Sequence, residues 1–322
     1  MSDLPSLCVV LPCYNEADSV ISTVSRVCKT LDTCAVNYLI VAIDDGSTDQ
    51  TWDILSKQIM QSAGRLYAYR LSRNFGKDAA ILAGLSLVPA DAYLIMDADG
   101  QHPPELLPKF IDAWMKGHAD VVNGIKRSRE RDPLLQRFSA FIFNHVFSLF
   151  SGIDFLRASD FKLINRKAAE AILQCGDYRF FFRGLASWIG FRQISVEFHV
   201  SERNSGKTKW QWSKLITYAI DALVLYSNFP LYLVFVLGCV AITLSLVLFV
   251  KLIWAYFGGV IPSGYSTLLT ISMLSMGFMM VSLGVIGLYV KNILDQVKQR
   301  PRFVVEEALC PGIPMKTTGY DE

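Results

Sequence analysis

The residues of this chain best suited to holding a divalent cation are Asp97 and Asp99, which directly follow the apolar run Ala-Tyr-Leu-Ile-Met. Two carboxylates one residue apart at a strand end offer hard oxygen ligands, and Mg²⁺ commonly completes its shell with substrate phosphates. A cation there would neutralise the charge that develops on a diphosphate leaving group. Asp99 or Gln101 could instead cap a helix beginning at Pro103 and Pro104, but capping explains one polar residue, not the set Asp97, Asp99, Gln101 and His102. Two further polar clusters are placed in the same way: Pro12-Cys13-Tyr14-Asn15-Glu16 and Asp44-Asp45-Gly46-Ser47 each end an apolar run. Asp44 or Asp45 would read a base or ribose hydroxyl, with one of the two only starting the Asp-Gly-Ser turn. Neither a GxGxxG fingerprint nor a P-loop follows the first run, so phosphates must be met by a cation and by basic side chains.

The elements that must position these groups alternate. Short apolar runs predict strands over 7–11, 38–43, 66–71, 92–96 and 120–125, and amphipathic stretches predict helices over 18–31, 49–62, 77–87 and 104–116. Repeated β-α units imply an α/β fold with a mostly parallel sheet covered on both faces. Ligands bind such sheets just past the carboxyl ends of the strands, where all three clusters fall.

Charge is distributed unevenly over the 322 residues. Between positions 222 and 290 there is one charged side chain, Lys251, which excludes a wholly soluble protein. A bilayer core about 30 Å thick needs roughly 20 apolar residues, so two spans are expected, near 230–255 and 266–290, with Lys251 snorkelling to the headgroups. Lys207, Lys209 and Lys214 precede them and Lys291, Lys298, Arg300 and Arg302 follow, while the connection is uncharged. The positive-inside rule then puts both termini in the cytosol. Stretches 134–150 and 210–229 are candidates for helices lying in the bilayer surface, the first being also readable as a buried core helix. The resulting division is a catalytic part, 1–209; an interfacial helix, 210–229; a two-helix membrane part, 230–290; and a cytosolic tail, 291–322. The balance of 31 basic against 29 acidic residues gives no reason to expect a nucleic-acid partner. Seven cysteines without a Cys-x-x-Cys pair suit reduced thiols.

The ordered segments VVLPCYNE, AIDDGSTD, LSRNFGKDAAILAGL, MDADGQHPPE, ASDFKLINR and SERNSGKTKW resemble glycosyltransferase family 2, in the branch of dolichyl-phosphate mannose synthase and bactoprenol glucosyltransferase. The resemblance implies a GT-A fold, Mg²⁺ or Mn²⁺ as cofactor, and inverting transfer of one hexose from a nucleotide-sugar, with UDP-glucose as the first candidate, to undecaprenyl or another polyprenyl monophosphate. It also implies a bacterial cytoplasmic membrane and a homo-oligomer, a tetramer being one form. Carried over to this chain, Pro12, Tyr14, Glu16 and Asp44 would line the nucleotide, and Asp97, Asp99 and Gln101 would bind metal, diphosphate and sugar. Lys126, Arg129, Arg137, Arg203 and Lys209 would face the acceptor phosphate or the donor diphosphate. Asp160 would orient groups near the reaction centre, or else bond to Arg166 or to backbone.

A phosphate monoester is already an anion at neutral pH, so the chemistry needs alignment and charge neutralisation more than a strong base. Two alternatives belong to other classes. A processive polysaccharide synthase would show a Gln-x-x-Arg-Trp motif and more spans, and a non-catalytic nucleotide-binding anchor would have no need of the acidic pair.

Overall fold

The computed structural model describes residues 4–62, 64–126, 160–175, 181–198, 229–258 and 264–310. Arg129, Arg137, Arg203, Lys209, the stretch 134–150 and all but the last residue of 210–229 lie outside them. The chain begins with β1 (Ser6–Cys13), α1 (Val20–Leu31), β2 (Asn37–Asp44), α2 (Thr51–Ile59), β3 (Leu66–Leu71), α3 (Lys77–Leu87) and β4 (Ala92–Ile95). A 3₁₀ turn at Pro104–Leu106 leads into α4 (Leu107–Met115), followed by β5 (Val121–Lys126) and β6 (Lys162–Asn165). Next come α5 (Arg166–Gln174), α6 (Phe182–Trp188) and β7 (Gln193–Phe198), then two long helices, α7 (Phe229–Phe257) and α8 (Tyr265–Val297), and last β8 (Val305–Leu309). The strands form one sheet in the order β7-β5-β6-β4-β1-β2-β3-β8, in which β6 and β8 run against the other six. The expected mostly parallel α/β sheet is therefore present.

Both faces of the sheet are covered, which is why its central strands read as unbroken apolar runs. Along β1, Leu7, Val9, Leu11 and Cys13 pack with α1, α2 and α4, while Cys8 and Val10 pack with α3, α5 and α6 on the other side. α1 shows the usual helical stripe, burying Val20, Val24, Val27 and Leu31. α3 differs, since every residue from Ala79 to Leu85 is buried. It lies so close to β1 that a Cβ added at Gly84 would sit 2.3 Å from Val10 Cγ1, and a β-branched neighbour in a packed core has little room to turn. Gly84→Ala is expected to lower stability by about 1–3 kcal/mol through overpacking; an unchanged thermal midpoint would mean that α3 can lift off the strand.

Several boundaries differ from the sequence-based expectation. The second apolar helix does not stop at position 290 but continues to Val297, carrying Lys291 and Asp295 in its last turns. Among the described residues, Ser275–Val297 is long and apolar enough to cross a membrane. α7 and α8 form a compact unit of their own. The stretch 291–322 was expected to be a cytosolic tail, with no strand assigned in it. Instead the part from Arg300 on belongs with the sheet, β8 pairing with the edge of β3. Glu307 Oε2 accepts a hydrogen bond from Trp52 Nε1 at 3.0 Å, and Arg302 Nη2 donates to the Cys175 carbonyl at 2.9 Å.

Candidate active site

The carboxyl ends of the adjacent strands β4, β1 and β2 open on a cleft of about 290 Å³. Pro12, Cys13, Tyr14 and Glu16 line it from the end of β1 and Asp45 from the end of β2. Asn74, Gly76 and Lys77 come from the entrance to α3, and Asp97 and Asp99 from the end of β4.

The β1 and β2 loops are stitched together. Asn15 has φ 56°, a left-handed conformation that asparagine tolerates better than most residues. Its Oδ1 accepts from Thr48 N at 2.9 Å, its own N–H donates to Ser47 Oγ at 2.9 Å, and Glu16 N donates to Thr51 Oγ1 at 2.9 Å. Gly46, with φ 66°, is required at the crossing point, since a Cβ there would lie 2.6 Å from the Arg73 carbonyl carbon. Asp45 closes the arrangement: Oδ1 and Oδ2 accept from Phe75 N at 2.7 Å and Gly76 N at 2.9 Å, fixing the approach to Lys77.

Asp44, the residue carried over as a nucleotide contact, is fully buried and does not line this cleft. Its Oδ1 accepts from Ser47 N at 3.1 Å, and its Oδ2 lies 3.6 Å from Arg70 Nε. Burial pushes its pKa up, against the pull of Ser47 and Arg70. Asp45 lines the cleft wall. Glu16 is half-buried, which raises its pKa, and its carboxylate accepts from Ser19 Oγ.

At the end of β4, Asp99 Oδ1 accepts from Gln101 N at 3.0 Å and Oδ2 from Gln101 Nε2 at 2.7 Å. Gln101 thus holds Asp99 in place. The helix-capping alternative fails, because the 3₁₀ turn begins at Pro103 with no side-chain cap. His102 is buried, stacked on Phe161 with ring centroids 4.7 Å apart, and accepts from Asp97 N through Nδ1 at 2.9 Å. Burial lowers its pKa, so it is neutral at pH 7.

Two cations that no sequence pattern singled out meet Asp160. Lys77 Nζ lies 2.5 Å from Asp97 Oδ1 and 2.7 Å from Asp160 Oδ2. Arg183, at the start of α6, grips Asp160 with two bonds, Nε to Oδ1 at 2.5 Å and Nη2 to Oδ2 at 2.6 Å. Arg166, one of the alternative partners of Asp160, pairs with Glu170. Burial alone would raise the Asp160 pKa, but Arg183 and Lys77 hold it well below the usual carboxylate range. Burial likewise opposes the Lys77 charge, and the carboxylates of Asp97 and Asp160 outweigh it. Lys126 is the last residue of β5. On the neighbouring strand Lys162 is fully buried, donates to Asn123 Oδ1 at 2.6 Å, and has its pKa lowered by burial to about 8.

The acidic pair also suits a divalent ion. Asp97 Oδ1 is buried and, apart from the ammonium beside it, has no hydrogen-bond partner among the described residues. No cluster of three or more acidic, His or Cys side chains able to hold a metal occurs among those residues. An ion here would therefore take most of its oxygens from phosphates and water, as Mg²⁺ usually does.

Asp78 supports the site from behind, accepting from Phe182 N at 3.1 Å. Burial raises its pKa from 3.8 to about 6. The folded state thus holds this proton more tightly than the unfolded chain, and the contribution of Asp78 to stability declines as pH rises through that window, with the cost fully present above it. Asp78→Asn, which keeps an acceptor for Phe182 N, should flatten the decline and raise stability at pH 7 by up to about 3 kcal/mol. Thermal midpoints of both proteins between pH 4 and 7 check this.

The sequence profile described as glycosyl transferase family 2 matches residues 8–187. An uncharacterized glycosyltransferase of Synechocystis sp. is 35% identical over 94% of this chain and 95% of its own length. An uncharacterized glycosyltransferase of Bacillus subtilis is 32% identical over 93% of each chain. The undecaprenyl-phosphate 4-deoxy-4-formamido-L-arabinose transferase of Photorhabdus laumondii is 30% identical, covering 94% of this chain and 93% of that protein.

Proposed function

Because the chain belongs to glycosyl transferase family 2, we propose that it transfers a single sugar from a nucleotide-sugar to the phosphate of a polyprenyl lipid, at the cytosolic face of a bacterial membrane. The observation that carries this is the opening of Asp97 and Asp99 onto the same cleft as the Pro12–Glu16 loop and Lys77. The Photorhabdus relative, named for an undecaprenyl-phosphate acceptor and similar over nearly the whole chain, supports the lipid acceptor. Glucose from UDP-glucose is the donor we put first. The 4-deoxy-4-formamido-L-arabinose of that relative's name is the second to try.

In the reaction an acceptor phosphate oxygen attacks the anomeric carbon from the face opposite the nucleotide, the bond from that carbon to the diphosphate breaks, and the nucleoside diphosphate leaves, inverting the centre. Tyr14, Glu16 and the Asn15-stitched loop hold the nucleotide. Asp97 and Asp99, the latter aligned by Gln101, would hold Mg²⁺ or Mn²⁺, which when bound supplies positive charge against the departing diphosphate. Asp160, ionised and paired with Arg183 and Lys77, keeps both cations aimed at the centre where two phosphate groups must approach each other. Lys126, Arg129, Arg137, Arg203 and Lys209 are proposed to meet the acceptor phosphate.

Connectivity supports a two-span placement. The chain leaves the sheet at the end of β7 and rejoins it at β8, which fits an even number of crossings by the intervening segment. With Ser275–Val297 as one span, α7 is the natural second, having one charge in its 29 residues.

Full-length protein in detergent, given undecaprenyl phosphate, Mn²⁺ and labelled UDP-glucose, should put label into a chloroform-soluble, mild-acid-labile product. Asp99→Ala or excess EDTA should lower the rate by about 10³-fold, the scale of losing a main transition-state charge contact. Undiminished transfer in EDTA defeats the metal assignment. Label entering only a water-soluble polymer would favour a processive synthase, and a panel of donors against the same lipid fixes the sugar.

A further inference from the structure

We propose that Lys77 is a built-in counter-cation of the donor site: a divalent ion must displace its ammonium from Asp97, and the donor diphosphate receives it, so that metal and nucleotide bind cooperatively. This rests on the metal-dependent reading above and adds to it a reason for ordered loading.

The competition is geometric. Lys77 Nζ stands 2.5 Å from Asp97 Oδ1, and a Mg²⁺ ligated by that oxygen would sit about 2.1 Å from it. Two cations cannot share so small a space, and Asp97 Oδ1 is the buried oxygen that otherwise lacks a hydrogen bond. His102 beside it is neutral and turns its Nδ1 to the Asp97 backbone, so it brings no positive charge to this carboxylate.

Lys77 is also free to leave. Its side chain is 38% exposed and lines the cleft, while its backbone is fixed by the hydrogen bonds from Phe75 N and Gly76 N to Asp45. The ammonium can therefore swing on its stem without α3 moving. Asp160 does not need it, because Arg183 still holds both of that carboxylate's oxygens. A diphosphate entering the cleft offers the ammonium a new anionic partner and at the same time gives the metal its missing oxygens. Each ligand then tightens the other by the same factor, as linkage requires.

The test is Mn²⁺ binding to the full-length protein in nanodiscs, followed by calorimetry and by the spin resonance of free Mn²⁺, first alone and then with saturating UDP. Lys77→Gln should bind Mn²⁺ alone about tenfold more tightly than the unaltered protein and gain less from UDP, a coupling of ordinary size. Lys77→Arg, which keeps the charge, should retain the weak metal-only binding. Lys77→Met gives a second neutral variant if the glutamine protein does not fold. Neutral variants that fold but bind Mn²⁺ alone no better than the unaltered protein overturn the proposal and leave the metal reading intact. Failure of the unaltered protein to bind Mn²⁺ even with UDP overturns both.

Discussion

Asp160→Asn is expected to reduce sugar transfer by about 10²-fold or more, the cost of misplacing groups at a reaction centre, and to lower stability as well. The carboxylate is 8% exposed and is the shared partner of Arg183 and Lys77. Removing one member of a buried ion pair commonly costs about 3–5 kcal/mol. Here the two cations keep 43% and 38% of their side-chain surface in solvent, so water screens them and a loss of about 1–3 kcal/mol is the more realistic scale. The kinetic effect should exceed the thermal one, since an asparagine cannot keep both cations aimed at the cleft. Because Arg183 and Lys77 hold Asp160 ionised, it is a poor proton acceptor, and the rate between pH 6 and 8 should not report its titration. Turnover by Asp160→Asn equal to that of the unaltered protein would remove the network from the mechanism.

Deleting the chain from Val305 onward is expected to leave a protein that unfolds many degrees lower, or fails to accumulate at all. The deletion strips β3 of its antiparallel partner and removes Leu309 from one core and Val305, Ala308 and Cys310 from the other. It also leaves Trp52 Nε1 without the Glu307 carboxylate. At about 1 kcal/mol per net hydrogen bond and about 1.5–3 kcal/mol for each large apolar side chain buried, the loss is on the order of 4 kcal/mol or more. A midpoint unmoved by the deletion would show that the sheet closes without β8.

What could be read from the amino-acid order was the part of the fold in which local pattern and tertiary role coincide. β1 to β4 are buried on both faces, so their apolar runs announce themselves, and α3 was bounded correctly at Lys77–Leu87. The polar clusters past these strands were legible for the same reason, since each interrupts an apolar run at a strand end. The failures were of another kind. β8 has the sequence VEEAL, too polar to stand out, and is a strand only because β3, far earlier in the chain, has an open edge for it to pair with. β6 carries a lysine into the core, which no apolar pattern would suggest. Lys77 and Arg183 are two of 31 basic residues. Their importance comes from Asp160, 83 and 23 positions away, a proximity created entirely by the packing of α3 and α6 beside β6.

The pairing of β8 with β3 also sets an order of events during synthesis. The strand that closes the sheet's edge is made after both long apolar helices, so the sheet stays unfinished until they have been synthesised. A chain truncated within the apolar region would carry every residue of the cleft and still expose an unpaired strand edge, of the kind that invites aggregation and degradation. Completion of the sheet thus depends on residues that follow both long apolar helices in the chain.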